Sequence, residues 1–325
     1  MIFFELLPGI GLSFVVALSA MFFAALLPFD FISATVLAIF IGVIINNVVS
    51  LPEALKPGIQ FSAKRLLKGF IILLGASMNF SLIFDIGGPT LLLLVFTIST
   101  AFLSSFFVGK MMNTPNRLKT LFAVGGAICG GSAITAISPV IKAEEKEIAY
   151  SVSTVFLVDM VLILVIPILA RMLNLSDLAM GLWSGTAIND TSSVVAASFS
   201  FSQAAGEFAT MVKMTRTLAI IPVVLFFSVR NHSGVTSRKI KSIFPWFIAG
   251  FAALALINTL GWIPSEVNDW LSIIRQYLMV MALGAIGLKT NLQSIKLLGL
   301  KPFIHSLIVS ICLIIVSLLV ISIII

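Results

Sequence analysis

Apolar residues run along the chain in eleven long blocks with short polar connections, at roughly 9–27, 31–49, 66–80, 90–109, 120–141, 148–170, 178–199, 208–229, 243–263, 270–288 and 302–325. Barrel strands would alternate apolar and polar positions over about ten residues, and these blocks are too long and too continuous for that. A hydrocarbon core of about 30 Å takes about 20 helical residues. Helices are the remaining structure that satisfies every backbone group of such a run in lipid. The pattern predicts an all-α polytopic membrane protein, a single integral membrane domain over residues 1–325 with no soluble appendage. The longest polar stretches, Ser50–Arg65 and Arg230–Ser242, read as loops. The first block does not read as a secretory signal, because Glu5 and no Lys or Arg precedes it.

Composition narrows the class further. Apolar residues make up 59% of the chain and charged residues 10%, where soluble domains carry about a quarter charged. The mean hydropathy is +1.17. These values exclude a soluble globular fold, a disordered chain and a nucleic-acid-binding domain. The pI of 9.6 reflects basic residues in the connections, which is a membrane pattern. If all eleven blocks cross, 15 Lys and Arg fall on one side and 5 on the other. That split places a multi-pass chain with its N-terminus in the cytoplasm and its C-terminus outside. Cys129 and Cys312 both lie in apolar blocks and suggest no disulfide framework.

Two blocks resemble each other. Gly125, Ala127, Ile128, Ser132 and Ala136 coincide with Gly185, Ala187, Ile188, Ser192 and Ala196 at a constant offset of 60. A weaker pairing at an offset of 212 sets Gly75, Asn79, Ile83 and Gly87 against Gly287, Asn291, Ile295 and Gly299. Transporters built from inverted repeats place equivalent broken elements in opposite orientation around a midplane site. If blocks five and seven both cross, they run the same way. If both are re-entrant hairpins, they enter from opposite sides, the crossings fall from eleven to nine, and the charge split becomes 16 to 4. The hairpin reading is preferred: it makes the second half a permuted copy of the first, with blocks three and ten inverted. A half-helix of about 11 residues rises about 16 Å, enough to reach the midplane.

The paired motifs carry the candidate chemistry. Seven of the nine residues in Gly125–Ala133 are small. One Gly pair would suggest close helix packing. Gly125-Gly126 followed by Gly130-Gly131 suggests a broken helix, because each Gly costs about 1 kcal/mol relative to Ala in a helix interior. The half-helix beginning near Gly131 and Ser132 would then turn free N–H groups toward an anion. The second copy reads Asn189-Asp190-Thr191-Ser192. Such residues cap helices well, and a carboxylate inside an apolar block is usually functional. Asp159 stands midway along block six, and Lys213 and Arg216 share a helix face early in block eight. Lys213 and Arg216 either snorkel to the interface or are buried and need a counter-charge, with Asp159 and Asp190 as candidates. Asp159 and Asp190 are also the candidate coupling-ion sites, for a proton or sodium. His305 reads as a headgroup-level residue, and Pro139, Pro167 and Pro222 as kinks. No zinc, P-loop or nucleophile-elbow signature is present, so no enzyme, metal or cofactor is expected.

The runs Gly125–Val140 and Gly185–Ala197, then Lys213-Met-Thr-Arg216 with Pro222, resemble the YeiH family of bacterial membrane proteins, catalogued as sulfate exporters. Leu73–Asn79 and Gly287–Leu292 fit it as well, so the resemblance spans nearly the whole chain. It implies a multi-pass inner-membrane protein distantly similar to bile-acid and sodium–proton transporters, with broken helices meeting at a midplane site. Its motif-matched positions are Gly125, Gly126, Gly130, Gly131, Ser132, Asn189, Asp190, Lys213 and Arg216. Where the family commonly reads His-Asp-Thr, this chain has Asn189-Asp190-Thr191, which removes a histidine proton carrier. The expected function is secondary transport of a small anion, sulfate or an organic sulfonate. An ion channel and a cation-coupled transporter of another small organic acid are the alternatives. The expected partners are the anion, the lipid bilayer and a second copy in a homodimer, with no nucleic acid.

Overall fold

The computed structural model describes residues 2–26, 33–78, 80–230, 245–290 and 300–324. Every regular element among them is helical. In chain order these are α1 (Ile2–Leu26), α2 (Ala34–Val48), α3 (Lys56–Phe61), α4 (Leu67–Leu74), α5 (Phe80–Met111), α6 (Asn116–Ala127), α7 (Gly131–Ile137) and α8 (Glu145–Met172). There follow α9 (Asp177–Ala187), α10 (Thr191–Phe201), α11 (Gln203–Leu218), α12 (Ile220–Arg230), α13 (Trp246–Thr259), α14 (Ser265–Lys289) and α15 (Leu300–Ile324). Six stretches are long and apolar enough to cross a membrane: Glu5–Leu26, Thr90–Met111, Glu145–Met172, Gln203–Arg230, Glu266–Lys289 and Lys301–Ile324. The chain is an all-α polytopic membrane protein.

It gathers into two compact units, one from residues 1–84 and 246–293 and the other from 85–245 and 294–325. In the first unit, helices meet backbone to backbone at glycines. A Cβ on Gly9 would lie 2.2 Å from Leu55 O, and one on Gly42 2.4 Å from Gly284 O. Lipid gives no hydrophobic drive between helices, so close approach through small residues supplies the packing. The similarity at an offset of 212 reappears here as repeated contacts. A Cβ on Gly75 would meet Phe251 O at 2.3 Å, and one on Gly287 would meet Ile39 O at 2.2 Å. Asn258 Nδ2 donates to Met78 O at 3.1 Å, and Asn46 Nδ2 to Thr290 O at 2.9 Å. Within each comparison the matched positions (75 and 287, 39 and 251, 46 and 258, 78 and 290) differ by 212. Of the paired positions, Asn291, Ile295 and Gly299, like Asn79, lie outside the described residues.

The second unit holds both broken blocks. Block five is interrupted at 128–130, where Gly130 takes φ +61 and ψ −126, a region open to glycine and costly to other residues. Block seven is interrupted at 188–190 by extended Ile188 and Asp190. Each pair of half-helices folds back on itself. At the foot of α6, Arg117 Nη1 lies 3.5 Å from Glu144 Oε1 and 3.9 Å from Glu147 Oε2, at the start of α8. Lys146, 2.9 Å from Glu144, holds the Glu144 carboxyl below the usual carboxylate range. At the foot of α9, Ser202 Oγ donates to Asp177 Oδ1 at 2.5 Å, joining the end of α10 to the start of α9. Arg171, at the end of α8, donates to Ser200 O and Phe201 O at 3.2 Å each. The 28 residues of α8 span about 42 Å. The hairpins α6–α7 and α9–α10 therefore enter from opposite ends of α8, as the re-entrant reading requires.

Two expectations need correction. Ser50–Arg65 is largely helical rather than a loop: a 3-10 turn at Glu53–Leu55, α3 and a π turn at Ser62–Leu66 lead into α4. Burial of Ile59 and the backbone approach of Gly58 to Leu6 and Gly9 hold that segment against α1. Pro139 lies in the turn after α7 and kinks no helix, whereas Pro167 is inside α8 and Pro222 follows the interruption at Ala219 between α11 and α12. Arg230 ends α12, and the rest of the stretch to Ser242 lies outside the described residues.

The topology is checked by cysteine labelling after Cys129 and Cys312 are replaced. Arg117→Cys and Glu145→Cys should react from the same side of the membrane, and Ser202→Cys from the other. The pair Asp177→Cys and Ser202→Cys should form a disulfide on mild oxidation. Labelling of residues 117 and 145 from opposite sides would instead restore eleven crossings.

Candidate functional site at the meeting of two hairpin tips

The two tips meet beside α11. A Cβ on Gly130 would lie 3.5 Å from the backbone and Cβ of Asp190, so a larger residue at the first tip would press on the second. Lys213 and Arg216 come from α11, in the interior of the 28-residue Gln203–Arg230 stretch, and neither is exposed. They do not snorkel.

Their partners differ from the sequence expectation. Lys213 Nζ donates to Ile128 O and Ile188 O at 3.0 Å each. Arg216 Nε donates to Ala127 O at 2.8 Å, and Nη1 to Thr186 O at 2.7 Å and Ile188 O at 3.2 Å. Arg216 Nη2 donates to Gly126 O. Among the described residues neither cation forms an ion pair with a carboxylate. The counter-charge is the carbonyl end of each half-helix, α6 and α9, where four C=O groups lack an intrahelical partner and the macrodipole is negative. The offset of 60 holds even here: Gly126 O and Thr186 O share Arg216, while Ile128 O and Ile188 O share Lys213.

The amino ends of the second pair of half-helices are treated unequally. Asp159, fully buried on α8, accepts from Asn189 N at 3.0 Å, Asp190 N at 2.6 Å and Asn189 Nδ2 at 3.0 Å. Asp190 is the N-cap of α10; its Oδ2 accepts from Ser192 N at 2.9 Å and also from Ser192 Oγ. Two carboxylates thus serve the positive end of α10. At α7 the N-cap is Gly130, which has no side chain to accept. Gly131 is partly open there, and Ser132 and Thr135 are exposed, one turn apart on one face. Asp190 and Thr191 are partly open as well, whereas Asn189 and Ser192 are buried.

Gly125 and Gly126 play a packing part. A Cβ on Gly125 would meet Ile134 Cδ1 at 2.9 Å, and one on Gly126 would meet Val309 Cγ1 at 3.3 Å. Sequence reasoning missed the partners of Asp159, the link from Asn189 Nδ2 to Ser310 Oγ at 3.3 Å, and the clamps at the hairpin feet. Only the N-cap pattern of Asn189–Ser192 hinted at them. His305 is also corrected: it is fully buried, against Phe122, with Ser105 Oγ and Thr114 Oγ1 each 3.1 Å from a ring nitrogen. Ser105 gives its proton to Lys119 O at 2.8 Å, so the facing Nε2 of His305 must be the donor. Among the described residues no three His, Cys, Asp or Glu side chains gather as a metal cluster would.

Two outcomes follow for the purified protein in detergent. Arg216→Ala orphans buried carbonyls at about 1–3 kcal/mol each, so it should lower stability by at least about 3 kcal/mol. Arg216→Lys should recover part of this, because an ammonium cannot replace the guanidinium fork. Gly130→Ala should cost about 1–3 kcal/mol through backbone strain. Thermal melts of the three variants test this, and wild-type midpoints for Arg216→Ala would show that the carbonyl clasp contributes nothing.

Residues 8–306 match the family described as conserved hypothetical protein 698. A UPF0324 membrane protein of Clostridium tetani is 42% identical over 329 aligned positions, covering 96% of this chain and 95% of that protein. One from Fusobacterium nucleatum is 36% identical, covering 90% of this chain and 91% of its own length. One from Streptococcus pneumoniae is 40% identical over 81% of this chain and 82% of its own length. The chain belongs to this family of UPF0324 membrane proteins, which is also the YeiH family that its motifs resemble.

Proposed function

We propose that the protein is a secondary transporter of a small anion, with sulfate or an organic sulfonate as substrate, in the bacterial plasma membrane. One observation carries the reading: two broken helices enter from opposite ends of α8 and meet tip to tip beside a buried basic pair. Irregular backbone at membrane depth is tolerated where it lines a cavity or is buried in protein, and transporters place substrate sites at such breaks. On this reading the anion lies on the accessible side of the tips, against Gly130, Gly131 and Ser132 of the first and Asp190 and Thr191 of the second. Lys213 and Arg216 set the potential from behind without touching it. Asn189 and Ser192 hold the second tip in shape, and Gly125 and Gly126 hold the first.

The resemblance to a family catalogued as sulfate exporters supports the substrate class. Of the 20 Lys and Arg, with the buried Lys213 and Arg216 set aside, the rest split 16 to 2, which supports a cytoplasmic N-terminus and an external C-terminus. With nine crossings or eleven, α2 and α13 run in opposite directions, which makes the repeated contacts of the first unit an inverted pair. Alternating access through a homodimer of such chains would complete the assembly.

Uptake of labelled sulfate and of methanesulfonate into proteoliposomes tests the proposal. The wild type should transport at least one of them with saturation. Gly131→Ala adds a methyl group that meets only the Val152 side chain, Cγ1 at 3.3 Å and Cγ2 at 3.8 Å, so folding needs that side chain to give by a few tenths of an ångström. The variant should lower uptake at least about tenfold by filling the anion position. Normal uptake by Gly131→Ala would move the site away from the first tip. Passive, non-saturating flux would favour a channel.

A further inference from the structure

We infer that Asp190 is the group that takes up a proton when the anion binds, so that transport is coupled to protons through this residue; this rests on the small-anion reading above. Both coupling candidates are carboxylates, and their surroundings separate them. Asp159 is fully buried and takes three N–H donors, with both oxygens engaged. A proton added to Asp159 would land on an oxygen that already accepts an N–H group of the α10 cap. Asp190 is partly open, its recorded bonds fall on Oδ2 alone, and it stands against Gly130 of the opposite tip.

Charge accounting gives the reason for uptake. The ionisable groups around Asp190 are Asp159 from α8, Lys213 and Arg216 from α11, and the Cys129 thiol from the first tip; α15 contributes the neutral Ser310. The half-charges at the carbonyl ends of α6 and α9 offset those at the amino ends of α7 and α10. An anion on Gly131 and Ser132 adds negative charge beside the Asp190 carboxylate. Like charges held together in a low-dielectric interior repel strongly. Protonating Asp190 removes that repulsion. The tip also has an acceptor to spare: Asn189 is 1% exposed, and its Oδ1 has no partner among the described residues. The step is a proton transfer only: one H⁺ from solvent joins a carboxylate oxygen as the anion binds and leaves when the anion departs.

Calorimetric titration of the purified full chain with sodium sulfate, in two non-oxyanion buffers of different ionisation enthalpy, reads the protons taken up. The wild type should take up about one proton per anion, and its affinity should fall about tenfold per pH unit on the alkaline side. Asp190→Asn keeps a good N-cap. It should bind sulfate with no proton uptake and hold it at alkaline pH, where the wild type has released it. Asp190→Ser, which also caps, repeats the test if the Asn variant fails to fold. Wild-type binding without proton uptake, binding that follows sodium concentration instead, or proton uptake retained in both variants would each overturn this inference while leaving the small-anion reading intact. No binding of sulfate or methanesulfonate by the wild type would overturn the small-anion reading itself, and this inference with it.

Discussion

The hairpin unit depends on one constraint: two helices stop in the middle of an apolar span, and their last carbonyls must be satisfied there. The donors that reach them, Lys213 and Arg216, are fully buried, and each unsatisfied buried group costs several kcal/mol. Lys213 and Arg216 meet the demand from a single face of α11, dividing five carbonyls of two half-helices between them. The cost runs the other way too. A lone Arg at midspan is placed at about +2.5 to 3.5 kcal/mol on insertion scales, and the carbonyl ends supply the partners that offset it. Neither the breaks nor the cations would be tolerable alone. The hairpins therefore need their feet to be fixed as well, and the Arg117 ion pairs and the Asp177–Ser202 bond do this at opposite ends of α8.

A near-symmetric frame makes the asymmetry informative. Elements 116–127 and 131–137 recur 60 residues later, and the carbonyls gripped by α11 recur at the same spacing. The residues filling the tips do not match: Cys129-Gly130 stands opposite Asn189-Asp190. One helix start carries two carboxylates, while the other has a glycine cap and an exposed Ser132. Symmetry of backbone with asymmetry of charge leaves one tip stabilised internally and the other without a side-chain cap. That difference, rather than the presence of basic residues, is what the proposed anion position rests on.

The repeats were legible because small and polar residues inside apolar blocks are rare, so Gly125–Ser132 and Gly185–Ser192 stand out without any structure. The hairpin geometry was legible only as one of two topologies, since charge counting gave 15 to 5 or 16 to 4 and could not choose. The prominence of Lys213 and Arg216 was visible, but their partners were not. A backbone carbonyl leaves no mark on the sequence, so the search for a counter-charge settled on Asp159 and Asp190. The helix at Ser50–Arg65 was hidden by Lys56, Lys64 and Arg65, which sit on a segment whose packing runs through Gly58 and Ile59. His305 looked superficial because it opens an apolar block; its burial follows from Ser105 and Thr114, about 200 residues away in the chain.

The two units solve the packing problem by different means, and the difference bears on how each can work. In the first, glycines bring backbones into contact at Gly42–Gly284, Gly75–Phe251 and Gly287–Ile39. Such contacts are apolar, shape-dependent and indifferent to charge, and the same solution appears twice at a spacing of 212. In the second, the central contacts are charge-assisted hydrogen bonds to helix ends, which are strong and directional. A change of charge at a tip therefore acts on hydrogen-bonded geometry at once. On the proposed function, ion-driven change starts in the hairpin unit, at the tip whose carboxylate remains partly open.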